Sequence, residues 1–537
     1  MPPGLTLETK VIPMTRKTDS GRAGLPRRTA NLARPVQLAV LGAALVAWSL
    51  VAIAQPGHGS DTVLQRAMRS GLRPSLLPVG SAAPQWSLLE RMARHKVPGV
   101  AVALVRNGVV VAAEGFGVRT AGTQDSVDEN TLFNVGSVSK IVTAVTALRL
   151  VAAGTMELDR DINHYLTTWK VPPLPASPRA VVTLRMLLSH TSGLSVSGFA
   201  DFAPIGAVPT MLQTLNGEAP AKNEPIRLLR APGLLNEYSG GGFTVAQFAI
   251  ESVMRQQLQE VTLRQVFEPV GMRRSTFSDP AAGTLNIAKA HDANGEVTAA
   301  PRGWERFPQD GASGLWTTAN DLAAFVGAIL RSYRGSGTLL PKSTAVAMLT
   351  EVSPSWHGLG PRLDGAGMTR VFHHGGSNDS YHAWIEGYPE TGDGFVVLTN
   401  GANGARLRTE IRNALSDAIG HGVNPPLRTI ALDPSTVRLA DFAGKYRLDT
   451  NIPVDLRRSL TDGMNFATVR IVRAAEQLSV VLPDETGALL PLTPSRFVAP
   501  TVFGTQMEFH RDPHGLVRAM TVERGAARAY YRRVRGS

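Results

Sequence analysis

Apolar and polar positions follow two different patterns in the middle and at the end of the chain. The middle holds longer apolar runs. VAVALVRNG leads through Asn107-Gly108 into VVVAAEGFG, and YHAWIEGYP leads through Thr391 to Gly394 into FVVLTN. Each pair predicts an antiparallel hairpin, because Asn-Gly and Gly-rich turns reverse the chain in a few residues. Residues 137–153 are mostly apolar and predict a helix that Gly154 ends.

Past Pro425-Pro426 the apolar runs become short and alternating, as in VRIVRA, QLSVVLP, ALLPLT and MEFHRD. Turn residues separate them at regular intervals. Several short strands at this spacing predict a small antiparallel β domain that closes into a barrel.

The N-terminus has the pattern of an export segment. Residues 1–34 are polar and basic, and residues 35–54 carry no charge and end on Ala52-Ile53-Ala54, a small-x-small site. This pattern predicts either a cleaved signal peptide or a membrane anchor that places the rest outside the cytoplasm, in the periplasm or beyond. The predicted organisation is a signal or anchor at 1–54, a linker at 55–84, a main domain at 85–424 and the β domain at 425–537.

Composition narrows the possible functions. The chain has 537 residues and no cysteine, which excludes disulfides, thiolate metal sites and cysteine nucleophiles. The net charge of +12 is concentrated at the two ends: residues 1–54 and residues 425–537 each carry an excess of five basic residues. The main domain is nearly neutral, so a nucleic-acid partner is not expected.

The string LFNVGSVSKIVTA carries the chemistry that stands out most. Ser137 and Lys140 lie three residues apart at a predicted helix start, so their side chains share one face. A serine hydroxyl becomes a nucleophile when a neighbouring base takes its proton, and a desolvated lysine amine is such a base. Taken alone, the motif is equally compatible with a serine that caps a helix beside a solvated lysine.

Five further strings occur with it in a fixed order: VPGVAVALVRNG, LLSHTSGL, PGLLNEYSGGGF, SGLWTTANDLAAF and HHGGSNDSYHAWIEGYP. Together they resemble the serine β-lactamase/penicillin-binding-protein superfamily, nearest to its class C β-lactamase, D-aminopeptidase and esterase-like branch. The resemblance implies an α/β (α+β) fold, in which an antiparallel sheet flanked by helices is joined by a helical subdomain. The C-terminal strands resemble the lipocalin-like barrel appended to some members.

The resemblance also implies roles for individual residues. Ser137 would be the acylated nucleophile and Lys140 its proton acceptor, while Tyr238 would share the base work and protonate the leaving group. His374 would orient a substrate carboxylate or assist Tyr238. The amides of Ser137 and Ser377 would bind the oxyanion.

Two positions depart from the pattern of the superfamily. Gly240 stands where an asparagine usually holds the substrate amide, and His374 replaces a lysine in the triad completed by Gly375 and Gly376. Both departures weaken the case for efficient β-lactam hydrolysis. The glycines are expected because substrate backbone would lie close to this strand.

The remaining histidines have less specific interpretations. His190 is expected to be a structural loop residue, with a general base as the alternative. His373 is expected beside the site or in solvent, and a metal site formed with His374 and His382 is disfavoured because no accompanying carboxylates are present. No metal or cofactor is expected.

The sequence therefore predicts an exported serine hydrolase that cleaves amides or esters, such as D-amino-acid peptides or small esters, through an acyl-enzyme. The alternatives are a β-lactamase or D,D-carboxypeptidase and, in another class, a non-hydrolytic penicillin-binding sensor. The expected partner is a small peptide, ester or β-lactam, and residues 35–54 are the possible membrane contact. The sequence leaves the oligomeric state open.

Overall fold

The computed structural model describes residues 58–433, 437–449, 451, 467–475, 477–482, 486–500, 505–524 and 527–534. The predicted signal or anchor at 35–54 lies outside the described residues. Within the described ranges, no helix is both long and apolar enough to cross a membrane.

The strands belong to a central sheet, a barrel and two short pairings. Their bounds are β1 (Leu76–Pro78), β2 (Gly99–Arg106), β3 (Val109–Gly117), β4 (Phe133–Asn134), β5 (Trp316–Thr317), β6 (Arg362–Asp364), β7 (Val371–Ser377), β8 (His382–Tyr388), β9 (Asp393–Thr399), β10 (Leu427–Thr429), β11 (Gly444–Leu448), β12 (Thr468–Ala474), β13 (Gln477–Val481), β14 (Thr486–Pro491), β15 (Arg496–Ala499), β16 (Thr505–Arg511), β17 (Val517–Arg524) and β18 (Ala527–Arg533).

Among the described residues, the α-helices precede the barrel. Their bounds are α1 (His58–Ser70), α2 (Leu88–His95), α3 (Ser139–Ala152), α4 (Leu184–Leu188), α5 (Met211–Asn216), α6 (Gly240–Met254), α7 (Leu258–Thr262), α8 (Glu268–Val270), α9 (Ala319–Arg334), α10 (Lys342–Met348) and α11 (Gly404–Ile419). A 3₁₀ turn, Gly136–Val138, leads into α3. The predicted helix at 137–153 is thus confirmed, with a tighter first turn.

The central sheet has six strands in the order β3-β2-β9-β8-β7-β6, each antiparallel to its neighbours. Both predicted hairpins are confirmed. Asn107 and Gly108 adopt φ values of 50° and 74°, the left-handed pair that a two-residue turn between β2 and β3 requires. The second hairpin joins β8 to β9, with Tyr388 opposite Asp393.

Strand β2 shows why this part of the sequence is apolar without interruption. Its alternate residues enter different cores: Ala101, Ala103 and Val105 contribute to one, and Val100, Val102 and Leu104 to the other. A strand covered on both faces has no solvent side, so the alternation of apolar and polar positions disappears.

Helices cover both faces of the sheet. Helices α1, α2 and α11 bury Leu64, Leu88 and Leu407 against one face. Helices α3, α6 and α9 bury Val142, Phe243 and Phe325 in the larger core on the other. The active-site residues described below lie on the side of this larger core.

Residues 55–84 were predicted to be a linker, but from His58 onward they are part of the folded unit. Leu64, Met68 and Leu72 are fully or almost fully buried. Strand β1 pairs in parallel with β10, which places Leu76 opposite Leu427. The amphipathic spacing of these apolar residues anchors the segment to the sheet domain.

The predicted C-terminal barrel is confirmed: strands β11 to β18 close into an eight-stranded antiparallel barrel. Its interior is packed with aromatic rings. The Phe442 ring lies 4.9 Å from that of Phe509 and 5.2 Å from that of Phe497, and Tyr446 and Tyr531 are fully buried. Its specific likeness to lipocalins stays a prediction.

Leu235 and Trp356 belong to the sheet domain, but both are buried in the same hydrophobic cluster as the barrel interior. They lie three residues before Tyr238 and one residue before His357. The barrel therefore packs directly behind the segments that carry two rings of the site.

Candidate active site

Ser137 and Lys140 are brought together as their spacing predicts. The 3₁₀ turn and the first turn of α3 place Lys140 Nζ 3.0 Å from Ser137 Oγ. Lys140 is only 2% exposed, and its Nζ also donates to the carbonyl of Ala312 at 2.7 Å. Ser137 is half-buried. A direct proton transfer between the two side chains is within reach at this distance.

Tyr238 lies beside this pair at the start of α6. Lys140 Nζ is 5.0 Å from the centroid of the Tyr238 ring, and the half-buried phenol faces the same cleft. Ser239 caps α6 by accepting a hydrogen bond from the Gly242 amide at 2.8 Å, which fixes where the helix begins. This cap holds Tyr238 one residue outside the helix and next to Lys140.

His374 lies on β7, with its ring 6.1 Å from that of Tyr238. It is fully buried, and burial, together with the charges of Arg362 and Lys140, holds its pKa well below the usual value. The neutral ring hydrogen-bonds through Nδ1 to the Gly375 carbonyl at 2.8 Å, so Nδ1 carries the proton and Nε2 is an acceptor. Because His374 Nε2 is an uncharged acceptor, it does not suit the expected role of binding a substrate carboxylate, which is also an acceptor. It does fit the other expected role, assistance to Tyr238.

Strand β7 approaches the nucleophile turn very closely. A Cβ atom on Gly376 would lie 1.8 Å from the carbonyl oxygen of Val135 and 3.0 Å from the amide of Ser137. A Cβ on Gly136, whose φ is +48°, would lie 2.8 Å from the amide of Ser377. Position 376 is therefore glycine because the backbone of Val135 passes directly beside it. The expected reason was the approach of substrate backbone, and it is not needed to explain this glycine.

These glycines also place the two predicted oxyanion amides on facing segments. The amide of Ser137 belongs to the first 3₁₀ turn, where N–H groups lack intrahelical acceptors. Ser377, at the end of β7, is exposed to the cleft. The amides of Ser137 and Ser377 therefore lie near each other, one on the nucleophile turn and one at the end of β7.

The asparagine that the superfamily pattern leads one to expect would be crowded at position 240. A Cβ atom there would lie 3.1 Å from both the Ser197 carbonyl and the Phe199 ring, and the Gly240 amide donates to Ser197 at 3.2 Å. Ser197 and Phe199 would have to shift slightly to admit a side chain at position 240.

His190 lies nearer to the site than a loop residue would need to be, with its ring 4.3 Å from that of Tyr238. Its Nδ1 accepts a hydrogen bond from the Ser239 amide at 3.1 Å, and burial holds its pKa well below the usual value. Because Nδ1 is engaged, the neutral ring carries its proton on Nε2. This geometry fits a structural role for His190, which holds the Ser239 amide at the start of α6.

Two residues near Tyr238 were missed by the sequence reasoning. The His357 ring lies 4.6 Å from His190, and the guanidinium carbon of Arg362 lies 5.3 Å above the Tyr238 ring. Both come from the segment SWHGLGPRL, which matches no catalytic pattern. The available signal was a histidine and an arginine in an otherwise apolar stretch.

His373 and His382 each have hydrogen-bond partners. His373 Nε2 bonds to Asp364 at 2.9 Å, and its ring stacks on Trp384 at 5.0 Å. His382 hydrogen-bonds to Ser377 Oγ and to the Ala402 carbonyl, each at 3.0 Å. Across the residues that the structure describes, no group of three or more His, Asp or Glu side chains is arranged to hold a metal ion.

Comparison with known proteins bears on this geometry. A sequence model of the Beta-lactamase family matches residues 88–418. Penicillin-binding protein 4 of Amycolatopsis lactamdurans is 24% identical over 385 residues, which cover 67% of this chain and 95% of that protein. Esterase EstB of Burkholderia gladioli is 29% identical over 198 residues, covering 35% of this chain and 49% of the esterase.

Solved structures show the same fold. The octameric penicillin-binding protein homologue from Pyrococcus abyssi superimposes with a TM-score of 0.53 at 20% identity, covering 82% of this chain and 98% of the homologue. The D-alanine carboxypeptidase AmpC from Burkholderia cenocepacia gives a TM-score of 0.50 at 20% identity, covering 67% and 99% of the two chains.

The predicted fold class is thereby confirmed: an antiparallel sheet flanked by helices, followed by an antiparallel barrel. The family match spans more than half of the chain and includes every element that carries the Ser137 site. The chain therefore belongs to the β-lactamase family.

Proposed function

We propose that the protein is a serine hydrolase that cleaves amide or ester bonds through an acyl-enzyme. The observation that carries the proposal is the 3.0 Å contact between Ser137 Oγ and the buried Lys140 Nζ. A nucleophile, a base within proton-transfer distance and two N–H donors are the parts that acyl transfer needs.

In the proposed reaction, Lys140 starts as a neutral amine, and Ser137 Oγ attacks the substrate carbonyl carbon as its proton passes to Lys140 Nζ. The carbonyl oxygen becomes an oxyanion held by the two amides. Tyr238 gives its phenol proton to the leaving amine or alkoxide as the scissile bond breaks, and it takes up the proton that Lys140 received from Ser137. His374 Nε2 lies beside the Tyr238 ring as a hydrogen-bond acceptor. Water then attacks the acyl-enzyme carbonyl and gives a proton to Lys140 Nζ, and the acid leaves as Ser137 Oγ takes that proton back.

The proposed substrates are D-amino-acid peptides or small esters. Relatives of the chain include a penicillin-binding protein, an esterase and, among solved structures, a D-alanine carboxypeptidase, which supports acyl transfer as the shared chemistry. Position 240 has no asparagine side chain to hold a substrate amide, and the neutral His374 has no charge to bind a carboxylate. A β-lactam would therefore lose two contacts in this site. Esters and D-aminoacyl amides are therefore favoured over β-lactams.

We also propose that the protein is exported through residues 35–54. The charge-free segment behind a basic N-terminus supports this proposal. Fractionation of cells that produce the full chain tests it. Protein found in the cytoplasmic fraction with residues 1–54 intact would contradict export.

The central experiment compares the purified protein with the Ser137→Ala variant on a chromogenic short-chain ester, a D-aminoacyl anilide, acyl-D-Ala-D-Ala and a fluorescent penicillin. Removing the nucleophile is expected to lower kcat by about 10⁴-fold or more. Ser139→Ala is the matched control. The buried Ser139 hydroxyl bonds to the Gly136 carbonyl and the Leu315 amide, so its loss should lower the thermal midpoint without abolishing turnover.

Turnover that disappears only in Ser137→Ala supports the proposal, and the preferred substrate identifies the acyl group. A stable penicillin label without turnover of any substrate would replace the hydrolase with a binding or sensor protein. Equal turnover in the wild type and in Ser137→Ala would rule out Ser137 as the nucleophile.

A further inference from the structure

The β7 strand end that carries Ser377 is held from behind by an arginine of α11. Arg408 Nη1 donates to the Gly376 carbonyl at 2.8 Å and to the Ala383 carbonyl at 2.9 Å, and it lies 3.4 Å from Ser377 Oγ. Gly376 and Ala383 are opposite each other in the β7–β8 register. The half-buried guanidinium therefore binds both strands at the pair next to the last one, Ser377 and His382.

The Gly376 carbonyl belongs to the same peptide group as the Ser377 amide. In a planar trans peptide, the C=O and the N–H point in opposite directions. Because the carbonyl points towards Arg408, the Ser377 N–H points away from it. The 2.8 Å distance between Ser377 N and a Cβ placed on Gly136 shows that this end of the peptide faces the nucleophile turn.

A charged donor on the carbonyl also changes the strength of the amide. Hydrogen bonds in a chain polarise one another, and bonds from an ionised donor are the stronger ones. A guanidinium on the Gly376 oxygen draws electron density from the peptide and makes the Ser377 N–H a better donor. The effect increases with the charge that develops on the acceptor of that N–H.

The side chain of Ser377 is fixed at the same time. His382 Nε2 faces the Ala402 carbonyl, so Nε2 carries the proton and Nδ1 accepts a hydrogen bond from Ser377 Oγ at 3.0 Å. The peptide is held through its carbonyl by Arg408 and through the adjoining side chain by His382.

We propose that Arg408 is a positioning residue for acyl transfer: through the Gly376 carbonyl it aims and polarises the Ser377 N–H towards the substrate oxyanion. The inference rests on the proposed serine hydrolase mechanism, in which the carbonyl oxygen gains a full negative charge. It gives α11, which lies on the opposite face of the sheet from α3, a direct part in stabilising that charge.

An arginine on the next turn of α11 has a purely structural contact and serves as a comparison for Arg408. Arg412 Nε bonds to the buried Glu386 at 2.7 Å and lies 4.7 Å above the Trp384 ring. That pair fastens α11 to β8 without touching the Gly376–Ser377 peptide. Arg408 makes the bonds to the peptide carbonyls near the cleft.

The test uses Arg408→Gln and Arg408→Lys, with Arg406→Gln as the control for loss of one positive charge on the same helix. Arg406 is exposed. Each variant is characterised by kcat and KM on the chromogenic ester, by Ki for phenylboronic acid and by its thermal midpoint. The boronic acid takes Ser137 Oγ as its fourth ligand while the serine proton leaves to the base, so one oxygen of the tetrahedral boronate occupies the oxyanion position.

Removing a whole oxyanion donor costs about 10²- to 10³-fold in kcat, and weakening one is expected to cost about tenfold. Arg408→Gln should therefore lower kcat about tenfold with little change in KM, and raise the boronate Ki in parallel. Arg408→Lys should recover part of both, and Arg406→Gln should resemble the wild type.

Two results would overturn the role of Arg408. In one, Arg408→Gln keeps the wild-type kcat and boronate Ki. In the other, kcat falls while the boronate Ki stays at the wild-type value; a thermal midpoint that falls at the same time would indicate a structural role alone. If the wild type shows no Ser137-dependent turnover and no boronate binding, the proposed function itself fails, which is a distinguishable outcome.

Discussion

The sheet domain and the barrel differ in what they bury. The sheet domain encloses polar and ionisable groups next to Ser137, including Lys140, His190 and His374. In the described part of the barrel, the buried side chains are mainly aromatic and aliphatic, with Asp449 and Thr505 as the polar ones. Burying polar groups costs free energy unless they are paired, so a fold tolerates them chiefly where they have a function.

Because of this difference, we expect substitutions in the two regions to affect turnover and stability differently. Substitutions at the buried ionisable groups beside Ser137 and Tyr238 should lower turnover more than stability, whereas substitutions in the barrel interior should do the reverse. The Ser137→Ala experiment above is the strongest case on the side of turnover. The four predictions that follow run from larger to smaller expected effects.

Lys140→Met should lower kcat by about 10²- to 10⁴-fold, because the variant has no group to accept the Ser137 proton. Its stability should be unchanged or higher, since an apolar chain of similar length replaces a buried amine. Ester kinetics and denaturant unfolding measure the two effects. A variant that keeps kcat but unfolds far more easily would show that Lys140 is a structural residue.

Phe509→Ala should lower the free energy of unfolding by about 3 to 5 kcal/mol, because the Phe509 ring packs against Phe442, Tyr446 and Phe497. Turnover per folded molecule should stay near the wild-type value. The control is Leu516→Ala, at an exposed barrel position where little change is expected. A large loss of kcat in folded Phe509→Ala would erase the contrast between the two regions.

The pH dependence of stability should also originate in the sheet domain. Burial, assisted by the Arg408 charge, lowers the pKa of His382 from 6.5 to about 4. The unfolded chain binds a proton that the native His382 does not, so this contribution is complete above pH 6.5 and is lost as the pH falls towards 4. It amounts to about 3 kcal/mol.

Unfolding free energies at pH 7 and pH 4.5 should therefore differ less in His382→Gln than in the wild type. His514→Gln, at an exposed barrel histidine, should keep the wild-type difference. An unchanged pH dependence in His382→Gln would contradict the assignment to this side chain.

Trp356→Phe tests the place where the two regions meet. Trp356 is buried in the barrel cluster, and its ring also lies 4.9 Å from that of His357. The smaller ring should lower stability by about 1 kcal/mol and change ester kcat/KM a few-fold, because both regions lose a contact. Trp86→Phe, on the opposite side of the sheet beside Arg91, should leave the kinetics unchanged. Wild-type kinetics in both variants would show that the barrel does not influence the site.

The sequence alone determined the local features of this protein. The Asn107-Gly108 turn, the helix that follows Ser137 and the short alternating strands of the barrel all depend on contacts within a few residues, which a pattern records directly. The spacing of Ser137 and Lys140 is of the same kind, because one helical turn suffices to bring the two side chains together.

Only the tertiary structure decided which distant residues share the site and in what charge state. Arg362 and His357 reach Tyr238, and Ala312 reaches Lys140, through contacts between segments more than 100 residues apart in sequence. The residues at 55–84 predicted a linker because the surface that covers α1 is not visible in the local pattern. That surface is formed by α11, about 340 residues later. His374 is neutral because of the burial around it, and Arg408 reaches the Gly376 carbonyl only because α11 packs across the sheet. Solvation and long-range packing set these properties, and neither is encoded in residue spacing.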